Sequence, residues 1–210
     1  MPDQAPAGPT SRPLAPFPPF PAEGLSDGVV RVRCWEPERD APARRRLTHD
    51  PEHDRWGLPF FVPRAVDQAA ERDRLEHDRA RSMAGEPSSY AVVSVMTGEL
   101  LGDVACRLDI PPLGVADVGY GTLPEARGRG VASAALSLLT AWLMDPVAGC
   151  GLHRVQLDHA LANEASCRVA LRAGFAREGV RRGYLPVVDP QDAAGWSRAD
   201  VCLHGRVATD

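Results

Sequence analysis

The sequence predicts an α+β domain built on a mixed, mostly antiparallel sheet of six to seven strands flanked by about four helices. Three observations predict it: an alternating run that opens at Val29, three strand candidates joined by short turns, and one strongly apolar helix that follows a glycine-rich turn. At 210 residues the chain is long enough for one sizeable core and short for two.

Eight of the first 21 residues are proline, and the stretch closes on Glu23-Gly24-Leu25-Ser26-Asp27-Gly28. Such a segment is expected to be a flexible tail over residues 1–27, leaving 28–210 as a single domain. From Val29 onward Val30, Val32 and Cys34 alternate with Arg31, Arg33 and Trp35, the period of a half-buried strand. Residues 38–84 are charged and carry two helical stretches, about 38–47 and 64–83, linked by Trp56-Gly57-Leu58-Pro59-Phe60-Phe61. Strands are then expected over Tyr90–Met96, Leu100–Ile110 and Val115–Leu123; their turns, Thr97-Gly98-Glu99 and Pro111-Pro112-Leu113-Gly114, are short enough to imply an antiparallel meander. Val131, Ala135, Leu138, Leu139 and Trp142 fall at helical spacing until Pro146. His153–Asp158 alternates again, and a second helix runs from Asn163, a good N-cap, to Gly174, a good residue to end on. Phe175–Val180 and Ala199–Val207 close the sheet around a long loop.

Hydrophobic residues make up 44% and charged residues 25%, which fits a globular protein and names no function. A net charge of −4 and a pI near 5.9 argue against nucleic acid as a partner, because phosphate neutralisation needs clustered Lys and Arg. No stretch approaches the ~20 apolar residues of a membrane span, and no secretory leader pattern opens the chain, so the expected location is the cytoplasm. The five cysteines (Cys34, Cys106, Cys150, Cys167, Cys202) form no Cys-x-x-Cys pair and suggest neither a disulfide framework nor a zinc site. His49 and His53 are four apart, but Pro51 between them disfavours a shared helix face, so no metal is expected there and the segment reads as a solvated charged loop.

The chemistry concentrates in Val118–Ser133, where a strand runs through a glycine-bearing turn into the apolar helix. The first amides of a helix have no internal partner and carry the positive end of its dipole, so such a turn is suited to a phosphate. Gly128 and Gly130 let the main chain approach, and Arg127 and Arg129 add charge. The Gly-Lys-Ser/Thr of a P-loop is missing. A dinucleotide fingerprint lacks its third glycine, where Ser133 stands, although Asp158 sits where its acidic residue belongs.

Arg127-Gly128-Arg129-Gly130-Val131-Ala132 resembles the Gln/Arg-x-x-Gly-x-Gly/Ala signature of GNAT acetyltransferases. Gly119-Tyr120, Pro124-Glu125-Ala126, Asn163-Glu164-Ala165-Ser166 and Gly174-Phe175 extend the resemblance, over roughly residues 29–207, to the ribosomal-protein N-terminal (alanine/serine) acetyltransferases and their relatives. The resemblance implies a GNAT fold and transfer of an acetyl group from acetyl-CoA, as co-substrate and with no metal, to a primary amine of a peptide N-terminus or small molecule. It implies that the backbone of Arg127, Gly128, Arg129, Gly130, Val131, Ala132 and Ser133 holds the pyrophosphate. Thr122 and Leu123 would pair with the pantetheine amides, and Asn163 and Ser166 would flank that arm. Relatives also make a homodimer a natural expectation. An amine attacks only when unprotonated, so a base is needed. Asp117 stands where relatives place a glutamate. Tyr184 is the nearest phenol to protonate the leaving thiolate, with Tyr120 a second contender. A non-catalytic acyl-CoA-binding module and, more distantly, a dinucleotide-binding oxidoreductase are the alternatives. Asp67, Glu71, Asp189 and Asp192 are acidic groups available to a cationic acceptor.

Overall fold

A computed structural model describes residues 17–56, 63–108, 113–189 and 191–209. The strands are β1 (Leu25–Ser26), β2 (Val30–Arg33), β3 (Ser89–Ser94), β4 (Leu100–Arg107), β5 (Val115–Thr122), β6 (Arg154–Ala160), β7 (Ala176–Val188) and β8 (Trp196–Val207). They make one sheet in the order β1-β2-β3-β4-β5-β6-β8-β7. The helices are α1 (Pro37–Thr48), α2 (Pro51–Trp56), α3 (Gln68–Met83), α4 (Val131–Met144) and α5 (Glu164–Arg172). This is the expected α+β architecture with one strand and one helix more, β1 and α2.

Both faces of the sheet are covered, which explains the unbroken apolar run of β3. Tyr90 and Val92 pack with Val131, Leu136, Leu139 and Trp142 of α4; Ala91 and Val93 pack with Trp35, Ala41 of α1 and Leu75 of α3. The two α1–α3 layer helices are mostly charged because only a few of their positions are buried. Asp40, 2% exposed, anchors this layer: it accepts from both terminal nitrogens of Arg33, at 2.7 and 2.9 Å, and from the Glu36 amide at 2.8 Å.

Order begins before the expected Val29. Phe17 and Phe20 are 6% and 5% exposed; Phe20 stacks on Tyr90 (centroids 4.1 Å) and meets the edge of Trp142 at 5.0 Å. A proline-rich segment needs few ladder bonds to be held in place when aromatic side chains supply the burial. The tail therefore gives up residues 17–27 to the fold; residues 1–16 lie outside the described residues, as do most of the Trp56–Phe61 link and Pro111-Pro112. The closing pair is also longer than expected: β7 reaches Val188 and β8 starts at Trp196, with bulges near Gly179 and between Arg181 and Leu185, so much of the Pro/Gly-rich loop is hairpin.

Candidate active site

Among the described residues β5 and β6 make the sheet's one parallel pair, and the pairing runs only from Val115–Arg154 to Asp117–Gln156. Beyond that point β5 stays with β4 to Thr122 and β6 with β8 to Ala160, so the two strands part. A single parallel pair is not a doubly wound sheet, which removes the dinucleotide-binding alternative. A cavity of about 600 Å³ fills the notch. On one side it touches Gly128, Gly130–Ser133 and, on α5, Asn163 and Ser166; on the other it reaches Arg44 of α1 and Glu52, His53 and Trp56 of α2. The opening thus passes through the sheet and joins its two faces.

The first of these faces offers main-chain amides and open space. Gly128 and Gly130 have φ of 72° and 81°, a region that penalises any side chain, and an added Cβ at either would meet nothing within 4 Å. Their requirement is conformational, and the space beside them is open. No side chain caps α4; its first bond runs from the Ala134 amide to the Gly130 carbonyl (3.0 Å), which leaves the amides of Val131, Ala132 and Ser133 outside the helical ladder. No acidic residue occupies its first turn. Arg129 is exposed, with only a long 3.5 Å contact to the Glu125 carbonyl.

The Arg127 side chain has another task. It donates to the Thr122 carbonyl at 3.3 Å and pairs with Asp50. Asp50 also accepts from the Glu52 amide at 3.1 Å, at the start of α2. Burial pulls the Asp50 carboxyl up, but Arg127 and the Glu52 and His53 amides outweigh it and hold the group below its ordinary 3.8. A depressed carboxyl contributes stability above its unfolded pKa, lost as pH falls through the folded value. Arg127→Ala is therefore expected to cost about 0.5–1 kcal/mol near neutral pH, the range of a partly exposed pair. Urea denaturation should show the gap to wild type closing below about pH 4.

Main-chain direction along β5 sorts the strand residues. The Leu123 amide bonds the Leu101 carbonyl at 2.9 Å, so Leu123 is turned to β4, as are Gly121 and Gly119 by alternation. Thr122, Tyr120 and Val118 face the notch instead. Leu123, expected to share a ligand with Thr122, has its amide engaged within the sheet. Tyr120 donates its hydroxyl to Ser166 Oγ at 2.9 Å, and burial raises its phenol, partly offset by that bond. Asn163 caps α5 by accepting the Ser166 amide at 3.1 Å and also borders the cavity.

On the opposite face, α2 brings in His53. Its Nε2 is buried with no hydrogen-bond partner among the described residues. Burial above all, with the charges of Arg44 and Arg64, lowers the imidazole below its ordinary 6.5 against the opposing pull of Asp103 and Asp54. Arg44 pairs with Asp103 at 2.9 Å while its Nε and second terminal nitrogen are buried with no hydrogen-bond partner among the described residues. His49 instead approaches the Arg45 carbonyl (2.9 Å) and borders a separate depression of about 620 Å³, so the two histidines diverge as the Pro51 break implies. In the sequence His53 is legible only as part of a charged loop, because α2 is a short helix anchored through Asp50.

The structure does not bring the two expected catalytic side chains to the cavity wall. Asp117 lies on the Gly119 face of β5 one alternation beyond it, with Gln156 Nε2 donating to its carboxylate at 3.1 Å and Arg107 3.9 Å away. Tyr184 is 53% exposed on β7, under the Arg181 guanidinium at 4.9 Å. The acidic acceptor candidates hold local structure: Asp67 caps α3, Glu71 is 2% exposed inside it, and Asp189 and Asp192 shape the β7–β8 turn.

Residues 30–176 match the acetyltransferase (GNAT) domain family. The chain belongs to this family. Its sheet and helices are those of other GNAT folds. RimJ from Mycobacterium smegmatis, solved in complex with CoA-disulfide, aligns with a TM-score of 0.70 at 23% identity over 95% of this chain and 90% of its own. The ribosomal-protein-S5-alanine acetyltransferase from Vibrio fischeri aligns at 0.70 and 20% identity, over 86% and 94%. A curated relative, the uncharacterised N-acetyltransferase YoaA of Bacillus subtilis (strain 168), is 33% identical over 89 residues, 42% of this chain and about half (49%) of that protein. No helix among the described residues is long and apolar enough to cross a membrane.

Proposed function

We propose that this GNAT chain moves the acetyl group of acetyl-CoA to a primary amine by direct attack in a ternary complex. One observation carries the proposal: an uncapped helix N-terminus opens onto a cavity that crosses the sheet where β5 and β6 part. The Arg127 amide is taken by the Pro124 carbonyl at 3.3 Å, so the amides from Gly128 to Ser133 suit a pyrophosphate, and the outward main chain of Thr122 and Tyr120 suits the pantetheine amides as an added strand. Asn163 and Ser166 flank that arm. Bound acetyl-CoA supplies the acyl group as a thioester.

The amine enters from the α1–α2 side. His53 is the base we favour, because a half-buried imidazole held neutral, with Nε2 shielded, accepts a proton near pH 7; Asp117 is the second candidate. Tyr120, kept protonated by burial and inside the notch, is the acid we favour over Tyr184. The unpartnered donors of Arg44 fit a backbone carbonyl of the acceptor, which favours a peptide N-terminus. So does chemistry: at pH 7 roughly a tenth of an α-amine is unprotonated, against a few in ten thousand for lysine. The ribosomal-protein substrates in the names of structural neighbours point the same way.

Thiol release from acetyl-CoA, followed with N-terminal peptides, free amino acids and small amines, tests the proposal. Release with peptides is expected; CoA binding without release under every acceptor would favour the non-catalytic module. Ala132→Asp isolates the anion site. A carboxylate in the first turn of α4 stabilises the helix by about 0.3–1 kcal/mol. It repels a diphosphate about 5 Å away by about 3 kcal/mol at an effective dielectric near 20, or about 100-fold in affinity. Calorimetry should therefore show CoA affinity lowered by about 100-fold while the melting temperature holds or rises.

A further inference from the structure

At the edge of the same cavity, which His159 itself lines, His159, Cys167, Cys202 and His204 bring one ligand atom each to within 4.8 Å of one another. His159 of β6 pairs directly with Cys202 of β8, and His204 lies two residues along β8 on the same face. Cys167 comes down from α5, which covers that face. Alternation places His159 in line with the core residues Val155 and Leu157, where an apolar side chain would be ordinary. Instead three of the four groups are polar and almost inaccessible: His204 is 0%, Cys202 1% and His159 7% exposed.

The buried imidazoles are not satisfied by the protein. His159 Nδ1 lies 2.9 Å from the Ala160 carbonyl, which only accepts, so Nδ1 carries the proton and Nε2 keeps its lone pair. That Nε2 is buried and has no partner among the described residues; His204 Nδ1 makes no close hydrogen bond either, although its ring lies against the Phe175 backbone. His204 Nε2 is 3.4 Å from Cys202 Sγ, and the two imidazoles stack with centroids 5.2 Å apart. A ring held by a carbonyl through one nitrogen, with its other nitrogen aimed into a cluster of thiols, is the arrangement that orients a metal-bound histidine.

We propose that these four residues form a structural site for Zn²⁺. With Zn–S near 2.3 Å and Zn–N near 2.0–2.1 Å, the edges of a tetrahedral two-thiolate, two-imidazole site are about 3.3–3.8 Å. The Cys202–His204 distance already matches, and the remaining atoms need to move by about 1 Å. Binding forms two Zn–S and two Zn–N bonds as Cys167 and Cys202 each release a thiol proton to solvent. The product is electrically neutral, two positive charges against two negative, so it adds no net charge beside Arg177, whose side chain also reaches Cys202. All four positions are filled by protein, which leaves none for water and makes the site structural. Soft thiolates with imidazoles select zinc over magnesium or calcium. The ion ties α5, which carries Ser166, to β6 and β8. No Cys-x-x-Cys spacing announces the site because its ligands come from three separate elements.

The test uses the full chain, purified under reducing conditions, stripped with a chelator, and given zinc or cobalt without any coenzyme A. One equivalent of Zn²⁺ per chain and a higher melting temperature are expected. Cobalt should show intense tetrahedral d–d absorption with a thiolate-to-metal charge-transfer band. Cys167 is the least buried ligand, so Cys167→Ala should fold and keep the melting temperature of the metal-free protein. It should bind zinc at least about 100-fold more weakly, since losing even an outer partner of a ligand costs about 10- to 100-fold. Absence of the cobalt bands in the reduced wild type, or zinc affinity unchanged in both Cys167→Ala and Cys202→Ala, overturns the proposal. So does a Cys167–Cys202 disulfide that, once reduced, yields a chain taking up no metal.

Discussion

His53→Gln is expected to lower kcat by about 100-fold or more, the range that a positioned general base contributes, while leaving CoA affinity within about twofold. The expectation follows from placement. α2 sets the imidazole in the cavity wall with Nε2 buried and unpartnered, and burial holds it below 6.5 and hence neutral at physiological pH. For wild type, kcat/KM should fall as pH drops through a value below 6.5, and that limb should vanish in the variant. Asp117→Asn is the control, with an expected loss under about tenfold because the carboxylate is engaged by Gln156 and sits beyond the cavity wall. If Asp117→Asn cost 100-fold and His53→Gln little, the base would be Asp117.

Phe20→Ala is expected to destabilise the fold by about 3–5 kcal/mol, the usual cost of deleting a buried phenylalanine. That is a large share of the roughly 5–15 kcal/mol that holds a domain together. The ring is 5% exposed, stacks on Tyr90 and meets Trp142, while its amide donates to the Ser82 carbonyl at 3.0 Å, so one residue ties the N-terminal segment to β3, α3 and α4. Urea denaturation measures the loss, and Phe20→Leu should retain most of the stability. A loss under 1 kcal/mol for the alanine variant would mean that the segment contributes nothing to the core.

These two residues mark where the sequence is hard to read. Phe20 sits among prolines, and proline content speaks to local ladder formation but not to whether an aromatic side chain finds a distant groove. His53 sits in a charged run whose periodicity is weak, and a short helix anchored by Asp50 leaves little pattern to detect. By contrast, α4 was legible from its apolar spacing, the ends of α5 from Asn163 and Gly174, and the meander from its turns, because each rests on neighbours within a few residues.

The sequence by itself determined the α+β order of elements, the glycine-bearing turn at Gly128 and Gly130, and the helix that follows it. All are local consequences of backbone conformation and of amides within one helical turn. Only the tertiary structure decided that β5 and β6 part after Asp117 and that Arg127 pairs with Asp50. It likewise decided that Tyr120, rather than Tyr184, enters the notch and that two cysteines and two histidines converge. Those outcomes depend on contacts between residues tens of positions apart, which are set by strand register and helix packing and leave no periodic trace along the chain.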